Sequence, residues 1–158
     1  MTQDRPFGPQ VFTPMDAAFE ARVRASFARQ RVMNTIGAAL TSVSPGAVVI
    51  ELPFRADLTQ QHGYLHGAIV TAIVDSACGY AAHTLMPVDA AVLTVEYKVN
   101  FLAPAVGRVF VAHGRVTKPG RTLTIAAGEV IAETEAGPKP IAIMLATMMT
   151  VSAREISG

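Results

Sequence analysis

The chain has 158 residues, 51% of them apolar and only 16% charged, with 13 basic residues against 12 acidic ones and a net charge of +1. That length predicts one domain able to hold its own core, and the scarcity of charge predicts a homo-oligomer that covers the remaining apolar surface. The absence of tryptophan and of any Lys/Arg run excludes the equipment of a nucleic-acid binder, one cysteine excludes an internal disulfide or a Cys-based zinc site, and no uncharged apolar run reaches the ~18 residues of a membrane span.

Residues 1–15 carry Pro6, Gly8, Pro9 and Pro14 and predict an irregular lead. The single cysteine fits a reducing cytoplasm, and the start has no apolar core, so a signal peptide is not expected. A single domain is expected over 16–158. Asp16 stands where a helix N-cap would, and Phe19, Val23, Phe27 and Val32 follow at helical spacing, which predicts a helix over 16–33. Two short apolar runs, 36–43 and 47–54, flank Ser44-Pro45-Gly46. Pro then Gly suits a type II turn, so these read as a β-hairpin.

Residues 55–65 read as a polar loop. From His66 or Gly67 to about Leu85 the chain is apolar without alternation and too long for a strand, so a buried helix is expected, ended by Pro87. The period then changes to two. Leu93, Val95, Tyr97, Val99 and Phe101 fall on one face, with Thr94, Glu96, Lys98 and Asn100 on the other. Strands over 107–118 and 121–133 follow, turned by Pro119-Gly120. After Glu135-Ala136-Gly137, the run from Ile141 to Val151 reads as a strand buried on both faces. The order α-β-β-α-β-β-β-β predicts an α+β fold whose last four strands form an antiparallel meander.

Asp75 is an acid inside the most apolar helix, flanked at helical spacing by the small residues Thr71, Ala72, Cys78 and Gly79. A buried carboxylate demands either a fixed backbone or basic partner, or a chemical role. Gly67 opens the same helix, where the first N–H groups have no internal acceptor and the dipole favours negative charge. It serves either an incoming carbonyl or only the bend into the helix. Asp75 lies two turns on, about 12 Å at 1.5 Å per residue. A substrate must bridge that span, or Asp75 must come from a second subunit. His62 and His66 are four apart without a third ligand, so no metal is expected. His66 is expected to orient the helix entry. His83 and His113 read as ordinary structural or surface residues, and Cys78 as a small core residue. Lys118-Pro119-Gly120-Arg121-Thr122 is either a solvated turn or a contact for ligand phosphates.

Gln60-Gln61-His62-Gly63-Tyr64-Leu65-His66-Gly67, with Asp75 eight residues later, resembles the hotdog-fold acyl-CoA thioesterases of the phenylacetate-degradation (PaaI) type. The resemblance continues through Thr94-Val95-Glu96-Tyr97-Lys98-Val99-Asn100-Phe101-Leu102-Ala103-Pro104-Ala105 and Lys118-Pro119-Gly120-Arg121-Thr122-Leu123, covering roughly 35–152. It implies a long central helix wrapped by a curved antiparallel sheet, here with an extra N-terminal helix. It also implies a dimer joined edge to edge, paired again into a tetramer, with active sites at the dimer interface. Gly67 and Asp75 would then serve one site from different subunits.

By position, Asp75 matches the catalytic carboxylate, as general base or nucleophile, and Gly67 the residue whose N–H polarises the thioester carbonyl. Gln60 falls where the family has Asn or Gln near the carbonyl or water, and Thr94 where some members position the water. His66, Ala68, Tyr64, Arg121 and Thr122 are the expected substrate contacts. Ala68 departs from the His-Gly-Gly that many members carry; its methyl either fits, since Ala retains the backbone N–H, or narrows the entrance. No cofactor is implied, because coenzyme A is part of the substrate. Two other readings remain: an acyl-thioester dehydratase or hydratase using His66 and Asp75 as its acid–base pair, and a non-catalytic acyl-CoA binding module.

Overall fold

The computed structural model describes residues 10–152 and 154, so residues 1–9 of the expected irregular lead lie outside the described residues. The elements are α1 (Phe19–Arg29), α2 (Arg31–Ile36), β1 (Ala39–Ser44), β2 (Ala47–Pro53), a 3-10 turn (Ala56–Leu58), α3 (Gly67–His83), β3 (Ala90–Phe101), β4 (Val109–Lys118), β5 (Leu123–Thr134) and β6 (Gly137–Ser152). No helix among the described residues is long and apolar enough to cross a membrane.

The helix expected over 16–33 is two helices. Asp16 accepts from the Ala18 N–H at 2.8 Å and so caps the turn that leads into α1. The chain leaves helical geometry at Gln30, whose ψ is 90°, and Gln30 Nε2 reaches Ser76 Oγ on α3 at 3.3 Å. Val23 and Phe27 are the buried residues of α1, and Phe27 meets Tyr80 of α3 edge-on at 5.6 Å. The expected hairpin is present as β1 and β2. Its turn needs Gly46, whose φ is +76°, and Thr84 Oγ1 accepts the Gly46 N–H at 2.7 Å.

All six strands pair antiparallel in the order β1-β2-β4-β5-β6-β3. The meander holds only for β4, β5 and β6. β3 leaves sequence order and forms the edge beyond β6, while β4 pairs with β2. A short connection does not oblige neighbouring strands to pair. Here β4 completes the hairpin edge, and the far side of β6 is left for β3. Within one chain the last strand is buried on one face only, which leaves the other for the partner the sequence reading calls for. Ala142, Met144, Ala146 and Met148 are buried, while Ile143 and Leu145 stand about half exposed.

α3 lies on the concave face, with Val70, Ile73, Val74, Ala77 and Cys78 essentially sealed from solvent. Each large aliphatic side chain so buried contributes about 1.5–3 kcal/mol. The approach is close because the sheet gives way. A Cβ at Gly114 would lie 2.2 Å from the Ala77 backbone, and one at Gly128 would lie 2.5 Å from Val74 Cγ2. Glycines on β4 and β5 and small residues on α3 therefore set the depth at which the helix, and Asp75 with it, sits in the sheet.

β3 carries the correction that matters most for the site. Its register against β6 shifts between Thr94 and Glu96: Thr94 faces Met148, but Glu96 faces Thr147. Val95 is the extra residue of a β-bulge. The alternation read from the sequence therefore changes phase there. Thr94 joins Tyr97, Val99 and Phe101 on the helix side, and Leu93 turns to the outer side.

Candidate active site

Asp75 occupies the midpoint of α3 and is half-buried. Among the described residues neither a backbone donor nor a basic side chain meets it. Its hydrogen bond comes from Thr94, whose hydroxyl donates to Oδ1 at 2.9 Å and also lies 3.5 Å from Met148 Sδ. The bulge makes this contact possible by turning Thr94 inward. Burial pushes the Asp75 carboxyl above the usual carboxylate range, and the Thr94 hydroxyl pulls the other way. A carboxylate held in place without a neutralising cation retains its basicity, which general-base or nucleophilic work requires.

Asp75 and Thr94 line a cavity of about 520 Å³ between α3, the start of β3 and α1. Gly67 lines a second cavity, of about 470 Å³, with Gln60, Tyr64 and Phe101. The Gly67 N–H is the first of α3 and meets no acceptor among the described residues. A Cβ at Gly67 would come within 3.1 Å of Phe101 Cζ, so the position favours glycine on packing grounds too. Within one chain the carboxylate and the free backbone donor thus open into different cavities.

The loop expected over 55–65 brings Gln60 to Gly67 through a tight turn. Gln60 N–H donates to the Tyr64 carbonyl and Gly63 N–H to the Gln60 carbonyl, both at 2.9 Å. The Gln60 side chain accepts from the His62 N–H. His66 caps α3, its Nδ1 accepting the Ala68 N–H at 2.9 Å. That commits Nδ1 to the helix start and is the orienting role expected of it. Ala68 and His66 are exposed beside Gly67 but line neither cavity. Arg121 and Thr122 are exposed in the β4–β5 turn, away from both cavities. The turn follows the rung that Thr94, Met148 and Thr124 share across three strands.

Of the Asp75 cavity, sequence reasoning placed only Asp75 and Thr94, and missed among others Arg22, Gln30, Ser76, Tyr80 and His83. His83, read as an ordinary structural histidine, is buried there. Its only advance signal was helical spacing, since it lies eight residues after Asp75 on α3. Cys78 lies one turn from Asp75, but burial, aided by that acid, pushes its thiol up to about 12. It is a core residue, as expected. No group of three or more His, Cys, Asp or Glu among the described residues is placed to hold a metal.

A family model described as the thioesterase superfamily matches residues 62–139. A thioesterase family protein from Silicibacter pomeroyi, of known crystal structure, is 51% identical, with a TM-score of 0.83 over 85% of this chain and 98% of that one. The E. coli PaaI protein of the phenylacetic acid degradation operon shares the fold at 17% identity, with a TM-score of 0.76 over 85% of this chain and 94% of its own. A 1,4-dihydroxy-2-naphthoyl-CoA hydrolase from Listeria monocytogenes is 26% identical over 104 residues, which are 66% of this chain and 85% of that protein. The long helix in its curved antiparallel sheet is the hotdog fold that the sequence led us to expect.

Proposed function

The chain belongs to the thioesterase superfamily, and from that premise we propose that it hydrolyses an acyl-CoA thioester to the free acid and coenzyme A. The observation that carries this reading is Asp75, a half-buried carboxylate with raised affinity for a proton, aimed by Thr94 into a cavity of substrate size. Asp75 takes a proton from water as it attacks the thioester carbonyl, or attacks that carbon itself and is released by water. The carbonyl oxygen gains charge in either case. The Gly67 N–H, at the positive end of α3, is the donor that stabilises it. Gln60 lines the Gly67 cavity and holds the carbonyl or the water. Tyr64, His66 and Ala68 shape that entrance, and Arg121 and Thr122 meet the nucleotide phosphates. The reaction calls for no cofactor beyond the coenzyme A of its substrate, and we place it in the cytoplasm.

The separation of Asp75 from Gly67 is resolved by a dimer. β3 is a twelve-residue edge strand, and its exposed Leu93, Val95, Tyr97 and Phe101 mark it for pairing. Two copies of β3, antiparallel about a two-fold axis at Lys98 and with Val95 of each bulged out of the pairing, set Thr94 of one chain opposite Phe101 of the other. Phe101 is the residue packed against Gly67. Asp75 of one protomer then works with Gly67 of the partner subunit. The exposed Leu123, Ile143 and Leu145 on the outer sheet face support a second pairing into a dimer of dimers.

The test is thiol release from a panel of aromatic and aliphatic acyl-CoAs, with Asp75→Asn in parallel. Release by the native chain that is lost in the variant supports the reading. Binding without release across the panel would make the protein a binding module. Single turnover in ¹⁸O-water tests direct attack: label in the Asp75 carboxylate arises only when water opens an Asp75–acyl anhydride at the Asp75 carbon.

A further inference from the structure

Among the described residues the Thr94 hydroxyl has two acceptors within reach: Asp75 Oδ1 at 2.9 Å and Met148 Sδ at 3.5 Å. The first aims the carboxylate. The second plays no part in that, yet its place is closely fixed. Met148 is fully buried, and it faces Thr94 on β3 to one side and Thr124 on β5 to the other. A Cβ on Gly79 would stand 3.9 Å from its sulfur. The sulfur therefore rests against α3 about one turn beyond Asp75.

A hydroxyl gives one hydrogen and accepts through its oxygen. Toward a charged carboxylate Thr94 can only donate. A protonated Oδ1 reverses the need, because it must donate and the Thr94 oxygen is the acceptor beside it. Thr94 accepts that bond only if its own hydrogen turns elsewhere, and Met148 Sδ is the other acceptor in reach. A thioether is a weak acceptor. It loses the hydrogen to a charged carboxylate and takes it once that charge is gone. A hydroxyl or an amide in its place would compete in both states, and leucine would accept in neither.

We infer that Met148 is a positioning residue for the proton Asp75 takes up: the Thr94 hydroxyl donates to Oδ1 while the carboxyl is charged, and when Oδ1 is protonated it accepts from Oδ1 and turns its hydrogen to Met148 Sδ. The Thr94 O–H bond rotates, and no bond is made or broken at Thr94. Burial favours the uncharged carboxyl, and this exchange gives that form a satisfied hydrogen bond. The charged and titratable groups nearby are Arg22 and Arg29 of α1 and Tyr80 and His83 of α3, which line the same cavity, and Cys78 one turn along α3. None of them bonds to Asp75 among the described residues, and β3 brings no charged side chain to the cavity. The inference rests on the thioesterase reading in its general-base form, in which Asp75 gains and loses a proton in each turnover.

The carboxyl ¹³C resonance of Asp75, assigned by its loss in Asp75→Asn, follows the titration without substrate. Met148→Leu should move its midpoint to lower pH, the direction opposite to that of Thr94→Val. Thr94→Val combined with Met148→Leu should titrate as Thr94→Val alone. On the acidic limb, kcat/KM of Met148→Leu should be about two- to fivefold above native, the worth of one weak hydrogen bond. The swap of methionine for leucine conserves volume. If it does not fold, biosynthetic norleucine, which replaces each sulfur with a methylene, makes the same test, and Thr94→Val labelled alike controls for the remaining methionines. A midpoint that stays or moves to higher pH, or a double variant that departs from Thr94→Val, overturns the exchange. If no acyl-CoA releases thiol, the thioesterase reading has failed separately, and the ¹³C titration still decides the exchange.

Discussion

Asp75 and Gly67 stand eight residues apart on one helix, in surroundings built on opposite plans. The Asp75 cavity is walled on one side by α1 and carries Arg22, Gln30, Tyr80 and His83, so polar residues line it from several elements. The Gly67 cavity is lined mainly by apolar residues, with Phe101, Leu102 and Ile141 around a backbone donor and one amide. On the proposed reading the first supplies the base and the second the dipole. On that reading neither half is sufficient alone, because the helix that joins them holds them too far apart to share one carbonyl.

The sharpest way to break this comparison is at its basic end. Asp75→Asn should lower turnover by about 10²–10⁴-fold and also raise stability at neutral pH. In the folded chain Asp75 keeps its proton above the ordinary value of 3.8, at which the unfolded chain releases it. Stability therefore falls as pH rises from that value to the raised folded one, and stays lower beyond it. Melting curves of native and variant chains should converge in acid and separate at pH 7, with the variant higher. A lower melting temperature for the variant at pH 7 would show that Asp75 has a structural partner.

At the dipolar end, Gly67→Pro removes the N–H at the first helical position, where the backbone accepts proline once the Phe101 ring gives way to the added Cβ by a few tenths of an ångström. The extended His66 before it, with ψ 137°, accepts a following proline. Activity should fall about 10²–10³-fold. Mixing this chain with Asp75→Asn under exchange should restore about a quarter of native activity, because each heterodimer regains one intact composite site. No recovery would place both groups in the same chain's site. A smaller effect, about tenfold, is expected of Thr94→Val. It removes the bond that lowers the Asp75 pKa, so the acidic limb of the rate profile should move to higher pH. The least effect belongs to Cys78, whose thiol is held at about 12. Alkylating reagents at neutral pH should leave both cavities working, as a thiol-release assay in treated protein would show.

α3 was readable because its signals are local: an apolar run without alternation, a glycine at its start and a proline after its end. The hairpin was readable for the same reason, through Pro45-Gly46. The break at Gln30 was not, since no glycine or proline marks it and its amide is drawn to Ser76 by tertiary contact. The place of β3 beside β6 is likewise a decision of the whole sheet. The bulge at Val95 hides within an unbroken alternation, so Thr94 read as lying on the polar face. Asp75 was conspicuous as one acid in an apolar helix. Arg22, Gln30 and His83 were not, because they come from three segments that meet only when α1 docks.

The bulge also bears on how such a site changes over generations. A substitution alters one side chain, whereas loss of one residue near position 95 would restore uniform pairing with β6 and carry every side chain on one flank of the gap to the opposite face. Thr94 would leave the carboxylate, or Tyr97 and Phe101 would leave the helix. The proposed site is therefore less exposed to most point changes along this strand than to a single-codon deletion, so lineages of this chain should diverge more in β3 composition than in its length.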